Sequence, residues 1–177
     1  MFTRNAVLLV SALVATAVPV LGAESPQLGT PMTAADLAAW DISIQPDGTG
    51  LPAGSGNAVT GKALYIEKCQ VCHNQDGAGQ PADRLAGGQG SLATNAPVKT
   101  VGSYWPYATT VFDYIRRAMP LTAPQSLTND EVYALTAYLL SVNGIVKERT
   151  VMNAKTLAAV RMPNRDGFIL KYPDKPR

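Results

Sequence analysis

Three side chains that can bind a metal or a cofactor stand within five consecutive residues of this chain. Cys69, Cys72 and His73 are its two cysteines and its only histidine in 177 residues. On a helical turn, positions i, i+3 and i+4 share one face, so both sulfurs and the imidazole can reach one flat ligand. A C-x-x-C-H run is the attachment signature of a c-type haem, whose vinyl groups bond to the sulfurs and whose iron binds the imidazole. The run therefore predicts one covalently attached haem (heme c).

Other uses of these side chains account for less of the pattern. A thioredoxin-like redox pair requires C-x-x-C beside a βαβ unit, and the sequence shows no such alternation of strands and helices. A structural zinc site needs four ligands, whereas this run supplies three. A structural disulfide between Cys69 and Cys72 would leave the adjacent His73 unexplained.

The second axial ligand of the predicted iron cannot be a histidine, because His73 is the only one. Methionine is the usual alternative, and a thioether raises the reduction potential relative to two nitrogen ligands. Met119 is the preferred candidate because the following Pro120 should place it just beyond a helix end. Met162 also precedes a proline, but its polar neighbours suit a surface position. A lysine, a water or an open site are further alternatives, and any single methionine can equally be core filler.

The surroundings of the haem give further candidates. The other ring nitrogen of His73 needs an acceptor, for which we expect the carbonyl of Pro81 in the glycine-rich loop after the motif. Tyr104 and Trp105 are predicted to line the haem pocket, with a phenol or indole donor directed at a propionate. Each could equally be a solvated or interface residue. The basic candidates for pairing with a propionate are Lys99, Arg116 and Arg117.

Three longer helices are expected to position these residues. The sequence predicts them at residues 60–69, 108–118 and 128–142, with shorter helices at 33–40 and 153–160 and no substantial sheet. Thr60 is the expected cap of the helix that runs directly into the haem motif. Capping boxes mark the starts of two other helices, Thr33–Asp36 and Thr128–Glu131. The haem ligands are thus expected at helix ends.

The beginning of the chain is typical of a secretory signal peptide. Arg4 precedes an apolar run over residues 6–18, and small residues near Gly22 mark the expected cleavage site. The run is shorter than the roughly 20 residues of a spanning helix, so no membrane span is expected after cleavage, with an uncleaved anchor as the alternative. Because haem attachment of this type occurs outside the cytoplasm, we expect a periplasmic protein. The formal net charge of +2 and the lack of basic runs argue against binding to nucleic acid or lipid surfaces.

These features divide the chain into four parts. They are a signal peptide at residues 1–22, an extended N-terminal segment at 23–58, a haem domain at 59–145 and a C-terminal extension at 146–177. The C-terminal extension is expected to pack on the domain or on a partner. The N-terminal segment is rich in turn residues and could be a mobile leader, but Trp40 and Ile42–Ile44 are apolar enough to favour docking.

Several motifs resemble those of class I cytochromes c. They are Gly61–Tyr65 before the first cysteine, the Gly79–Pro81 loop, Met119-Pro120 and the last long helix. The resemblance implies an all-α, small class I cytochrome c fold with loop-rich N- and C-terminal extensions. In that fold the first and last helices cross beside one haem edge, and Gly61, Tyr65 and Tyr138 are expected at the crossing.

A narrower resemblance covers residues 28–168. Segments of this range are similar to the cytochrome subunits of bacterial sulfite and sulfane-sulfur dehydrogenases: Trp40–Ile42, Pro46–Pro52, Gly102–Thr110, Asp113–Pro120, Ala123–Leu127 and Arg161–Phe168. In that family a molybdenum-cofactor subunit oxidises sulfite or a carrier-bound sulfane sulfur and passes electrons to the haem subunit. The resemblance implies that Cys69 and Cys72 hold the haem, with His73 and Met119 as iron ligands. It also implies that the chain has no catalytic residues of its own.

The function implied is that of a periplasmic electron-transfer subunit. It would accept electrons from a molybdenum sulfite dehydrogenase and pass them to a downstream cytochrome c or terminal oxidase. Sulfane dehydrogenase cytochromes often carry an additional haem domain, which favours the sulfite type over a shortened sulfane type. The alternatives are a free-standing electron-shuttle cytochrome and a haem protein with an open iron. We expect residues 40–52 and 161–168 to contact the partner, and deletion of 24–52 to leave the haem spectrum intact.

Overall fold

Helices dominate the computed structural model, which describes residues 28–169. The helices in this range are α1 (Ala34–Trp40), α2 (Ala58–Lys68), α3 (Gln70–His73), α4 (Ala108–Ala118), α5 (Asn129–Val142) and α6 (Ala154–Ala158). Two 3₁₀ turns, Gln75–Gly77 and Ser91–Ala93, lie between α3 and α4. Two short strands, β1 (Ser55–Gly56) and β2 (Met152–Asn153), pair antiparallel. The predicted signal peptide lies outside the described residues, and none of the helices within them is long and apolar enough to cross a bilayer.

The capping residues explain where most helices begin. Thr33 and Thr128 each form the predicted capping box with the acidic residue three positions later, at the starts of α1 and α5. The bounds of α4 match the predicted range. However, α2 begins two residues before Thr60, because Oδ1 of Asn57 accepts hydrogen bonds from the N–H groups of Val59 and Thr60 in the first turn. Asparagine is among the strongest N-caps, so it takes precedence over the threonine.

Helices α2 and α5 cross at very close range. A Cβ atom at Gly61 would overlap the carbonyl oxygen of Ala134, so only glycine allows this approach. One turn further along, the rings of Tyr65 and Tyr138 pack with their centroids 5.0 Å apart. The crossing expected at these residues is confirmed. It places the C-terminal end of α2, and hence the haem motif, against α5.

The core lies between α5 and the helices that pack on it. Nine consecutive residues of α5, Val132–Leu140, are buried. From α4, Phe112 is fully buried and packs against Tyr133 with ring centroids 4.5 Å apart. Burying a side chain of this size stabilises the fold by about 1.5–3 kcal/mol before the entropic cost is counted. Because α2 and α4 both pack on α5, this core positions the haem motif at the end of α2 and Met119 just beyond the end of α4.

The segment that precedes α2 is fastened to the domain from residue 42 onward. The N–H of Ile44 donates to the Asp113 carboxylate (3.3 Å), and the hydroxyl of Tyr133 donates to the Pro52 carbonyl (2.8 Å). The side chain of Ile44 is only 9% exposed. In contrast, Trp40 at the end of α1 is 80% exposed. Docking is therefore confirmed for Ile44 but not for Trp40.

The described part of the C-terminal extension also packs on the domain. Met152, Leu157 and Met162 are each at most 1% exposed. The surface position predicted for Met162 is therefore wrong. In an irregular segment, successive side chains face different ways, so the polar neighbours of a residue do not indicate its own burial. Here Arg161 faces outward while Met162 fills the core.

Candidate functional site

The haem-attachment motif forms a tight helical turn at the end of α2. The N–H groups of Cys72 and His73 both donate to the Cys69 carbonyl, at 3.1 and 3.0 Å. Both thiols are unpaired, with Cys69 half-buried and Cys72 exposed. Burial raises the pKa of the Cys69 thiol to about 11, so in the chain without haem it is the neutral thiol at physiological pH. The two sulfurs are thus available for attachment to a shared ligand.

The imidazole of His73 is oriented by a backbone carbonyl. Its Nδ1 lies 2.8 Å from the carbonyl oxygen of Asp83. A carbonyl can only accept, so Nδ1 carries the proton and the lone pair of Nε2 is left for a metal. This is the tautomer that an axial histidine needs.

The acceptor is therefore the carbonyl of Asp83. The prediction that it would be the carbonyl of Pro81 is wrong. The chain reverses around Pro81, because the N–H of Gly79 donates to the His73 carbonyl and that of Ala82 to the Cys72 carbonyl, both at 2.8 Å. This reversal brings the Asp83 carbonyl to the imidazole. The path of the loop, which determines the acceptor, has no signature in the local sequence.

Two tyrosines from the helix crossing hold the loop that follows His73. The hydroxyl of Tyr65 donates to the Asn74 carbonyl (2.8 Å), and that of Tyr138 donates to the Asp76 carboxylate (2.6 Å). Burial raises the pKa of Tyr65 to about 12, and burial together with the bond to Asp76 raises the pKa of Tyr138. Both phenols therefore stay protonated and remain donors. Sequence reasoning missed Asn74 and Asp76, since nothing in their local pattern indicates a partner about ten or sixty residues away.

The preferred second ligand, Met119, stands directly beyond α4. Its backbone is extended, with φ −118° and ψ 145°, while its N–H still bonds to the Ile115 carbonyl at 3.1 Å. Its side chain is partly buried and packs against the core. The position at the helix end thus agrees with the sequence prediction.

Comparison with known proteins places this geometry in a family. The cytochrome c family model matches residues 58–143. A chain in the crystal structure of the sulfane dehydrogenase SoxCD from Paracoccus pantotrophus is 44% identical, with a TM-score of 0.78. The match covers 85% of this chain and 73% of that chain. This chain belongs to the cytochrome c family. None of the curated proteins matches this cytochrome c significantly.

The residues of this cytochrome c fit the haem that the family implies. Cys69 and Cys72 offer two free sulfurs on one turn, and His73 offers an oriented Nε2. Several apolar side chains pack on the core without being fully covered, as contact with a flat apolar ligand requires. They include Leu64, Leu85, Trp105 and Met119. The all-α class I fold expected from the sequence is confirmed by the helices and by the family match.

The aromatic pocket candidates of this cytochrome c have defined protein partners. Trp105 is half-buried and meets Tyr114 edge-on, with ring centroids 5.7 Å apart. Tyr104 meets Phe168 of the C-terminal extension at 5.3 Å, and its carbonyl accepts from the Asn164 amide at 2.7 Å. The extension thus supports the segment in which both pocket candidates lie. Their contact with the haem stays a prediction.

The basic candidates for a propionate partner are engaged elsewhere in this cytochrome c. The guanidinium of Arg117 pairs with Asp113 at 2.9 Å. The guanidinium of Arg116 lies 3.5 Å from the Ile42 carbonyl. Lys99 lies above the ring of Tyr104, with Nζ 5.2 Å from its centroid. The arginines therefore help to secure the N-terminal segment and α4.

Proposed function

We propose that this cytochrome c is the electron-accepting haem subunit of a periplasmic sulfur-compound dehydrogenase whose catalytic subunit is a separate molybdenum-cofactor protein. The similarity to the sulfane dehydrogenase chain carries this proposal. The family model accounts for residues 58–143, whereas the structural match covers 85% of this chain. The likeness therefore includes much of the extensions that a minimal cytochrome c does not need.

The proposed roles of the ligands follow from their chemistry. Cys69 and Cys72 attach a single haem through their sulfurs, His73 binds the iron through Nε2, and Met119 through its thioether. When bound, the haem supplies a one-electron ferric–ferrous couple. The chain itself orients His73 through the Asp83 carbonyl and shields the site with the apolar side chains around the core. With both axial positions filled, the chain carries electrons and performs no bond-making step.

Sulfite and a carrier-bound sulfane sulfur are the two candidate substrates of the complex. Segments of residues 28–168 resemble the cytochrome subunits of both types. A solved chain to which this cytochrome c is similar belongs to a sulfane dehydrogenase, which favours the sulfane type. In both cases the electrons would pass to a downstream cytochrome c or terminal oxidase.

The surface of α1 is the best candidate for contact with the catalytic subunit. Leu37 and Trp40 are 54% and 80% exposed, although both are large apolar side chains. Within residues 42–53, Ile44 is buried and the carbonyls of Pro46 and Pro52 accept hydrogen bonds from within the chain, but more than half of the other residues are exposed. The N-terminal partner contact that we propose therefore centres on α1 and extends over the exposed residues up to Pro52.

Gentle isolation from a periplasmic extract tests the proposal. We expect one covalent haem per chain, measured by mass and haemochrome absorbance, and a co-eluting larger subunit that contains molybdenum. A haem-bearing chain that elutes alone and without molybdenum would instead support a free electron shuttle. Binding of carbon monoxide by the reduced native protein would support an open iron, since Met119 could not then be the ligand.

A further inference from the structure

Asn143, which caps the end of α5, is a buried polar side chain with four hydrogen-bond partners, of which Nε2 of Gln89 is the most distant, 3.4 Å from Oδ1. Its Nδ2 donates to the Leu139 carbonyl at 2.8 Å, a contact local to the helix. The same group donates to the Leu85 carbonyl (3.2 Å), and Oδ1 accepts from the N–H of Gly87 (3.0 Å). The residue is 8% exposed. One side chain therefore binds a loop that lies more than fifty positions earlier in the sequence.

The loop bound by Asn143 is also fixed on its other side. The N–H of Leu85 donates to the Gly77 carbonyl at 2.8 Å, and Nε of Arg84 donates to the Ala78 carbonyl at 3.1 Å. Residues 84 and 85 are thus held between the turn after the haem motif and the end of α5. The residue that immediately precedes them is Asp83, whose carbonyl accepts from His73.

From this chain of contacts we infer that Asn143 is a positioning residue for the axial histidine. It fixes Leu85 and Gly87, which in turn fixes the Asp83 carbonyl against Nδ1 of His73. The inference rests on the proposed ligation of iron by His73. A hydrogen bond at Nδ1 makes the imidazole a more basic ligand, and a more basic ligand stabilises the ferric state. Asn143 thereby lowers the reduction potential through the position of the Asp83 carbonyl.

The single histidine of the chain makes the inference directly measurable. Labelling holoprotein with ¹⁵N-histidine gives one imidazole, and its Nδ1–H exchange can be followed in the diamagnetic ferrous state. We expect Asn143→Ala to accelerate this exchange on the order of tenfold, comparable to the loss of one hydrogen bond. We also expect its midpoint potential to rise.

Asn129→Ala is the matched control, because Asn129 lies at the other end of α5. Its amide also donates to a backbone carbonyl, that of Ala53 at 3.2 Å, but this carbonyl lies away from the haem loop. The control should leave both the exchange rate and the potential unchanged. If Asn143→Ala lowers the unfolding temperature but matches the control in both readouts, Asn143 is only a helix cap and the inference is overturned.

A second variant and the wild type cover the case in which Asn143→Ala does not fold. Asn143→Asp keeps the side-chain volume and the acceptor for the N–H of Gly87 but loses the donor to the Leu85 carbonyl. The Nδ1–H of His73 should therefore exchange faster in this variant too. A wild-type Nδ1–H that exchanges as fast as free imidazole overturns the inference without any variant. Absence of covalent haem would instead contradict the proposed function, so the two failures are distinguishable.

Discussion

At the scale of single residues, the site depends on which atoms the backbone leaves free. The Asp83 carbonyl accepts a hydrogen bond from Nδ1–H of His73, and so Nε2 is the nitrogen that can bind iron. The C-x-x-C-H spacing could be read from the sequence, because positions three and four apart always share a face of a helical turn. The acceptor could not be read, because it depends on how the loop reverses around Pro81.

Replacement of Met119 tests the second axial ligand. We expect Met119→Leu to keep the covalent haem but to lose the charge-transfer absorbance of a thioether bound to ferric iron. Its ferrous form should bind carbon monoxide, because leucine leaves the axial position open. Both changes can be followed by visible absorbance at neutral pH without denaturant.

Met162→Leu is the control for that experiment. Met162 is 1% exposed, and an exchange of methionine for leucine of similar volume costs less than about 1.5 kcal/mol in a core. The control should retain the charge-transfer band and exclude carbon monoxide. If Met162→Leu lost the band and Met119→Leu kept it, our assignment of the ligand would be reversed.

At the scale of elements, the crossing of α2 and α5 presents the haem motif to the rest of the molecule. The starts of α1 and α5 could be predicted because a capping box is a local pattern. The start of α2 was misplaced by two residues, because Asn57 and Thr60 are both competent caps and the sequence does not rank them in context. The tyrosine contacts with residues 74–76 were beyond prediction because they join distant segments.

The close approach at Gly61 gives a prediction of stability. Gly61→Ala places a methyl group onto the Ala134 carbonyl, so the helices must separate. We expect a loss of about 1–3 kcal/mol in the free energy of unfolding, as for overpacked cores. Denaturant unfolding of the holoprotein measures it, with exposed Lys62→Ala in the same helix as the control. Equal stability of the two variants would show that the crossing is loose.

The ion pair between α2 and α5 predicts a dependence on pH. Nζ of Lys68 lies 2.7 Å from Glu131, and this bond, helped by the Thr128 backbone, lowers the pKa of Glu131. Because the pKa of Glu131 is lower in the folded state, the ion pair stabilises the fold at pH values above the ordinary glutamate pKa of 4.5. That stability is lost as the pH falls through the pKa of Glu131 in the folded state. We expect Glu131→Gln to cost about 0.5–1.5 kcal/mol at neutral pH.

Unfolding curves across the pH range measure this contribution. The difference between wild type and Glu131→Gln should shrink as the pH falls below the ordinary glutamate range. Glu67→Gln is the control, because Glu67 is an exposed residue next to Lys68 in α2. This substitution should change the free energy of unfolding little at any pH. A difference that stays constant down to acidic pH would mean that the glutamine loses packing and not charge.

At the scale of the whole molecule, the two extensions behave differently from what their composition suggests. Residues 42–53 are rich in glycine and proline yet belong to the folded domain, because their carbonyls accept from Thr109 and Tyr133 and Ile44 is buried. Such contacts join residues more than sixty positions apart, so the sequence indicated only that the segment was too apolar for a free tail. The structure therefore changes the outcome that we expect for deletion of 24–52.

Two nested deletions separate the roles of the N-terminal region. Deletion of residues 28–40 should leave the haem spectrum and the unfolding temperature unchanged while weakening association with the catalytic subunit. Deletion of residues 28–52 should also lower the unfolding temperature, because it removes Ile44 and the hydrogen bonds to Thr109 and Tyr133. Equal unfolding temperatures of the two deletion variants would show that residues 41–52 do not stabilise the domain.

Reduction of the haem by substrate in the native complex tests the central claim most directly. Sulfite, and in a separate experiment a carrier-bound sulfane sulfur, is added anaerobically to the oxidised complex while the haem absorbance is recorded. We expect one of them to reduce the haem as fast as the complex turns over, and the isolated cytochrome to stay oxidised. A haem that stays oxidised, while the molybdenum subunit oxidises the same substrate with an artificial acceptor, would contradict the proposed function.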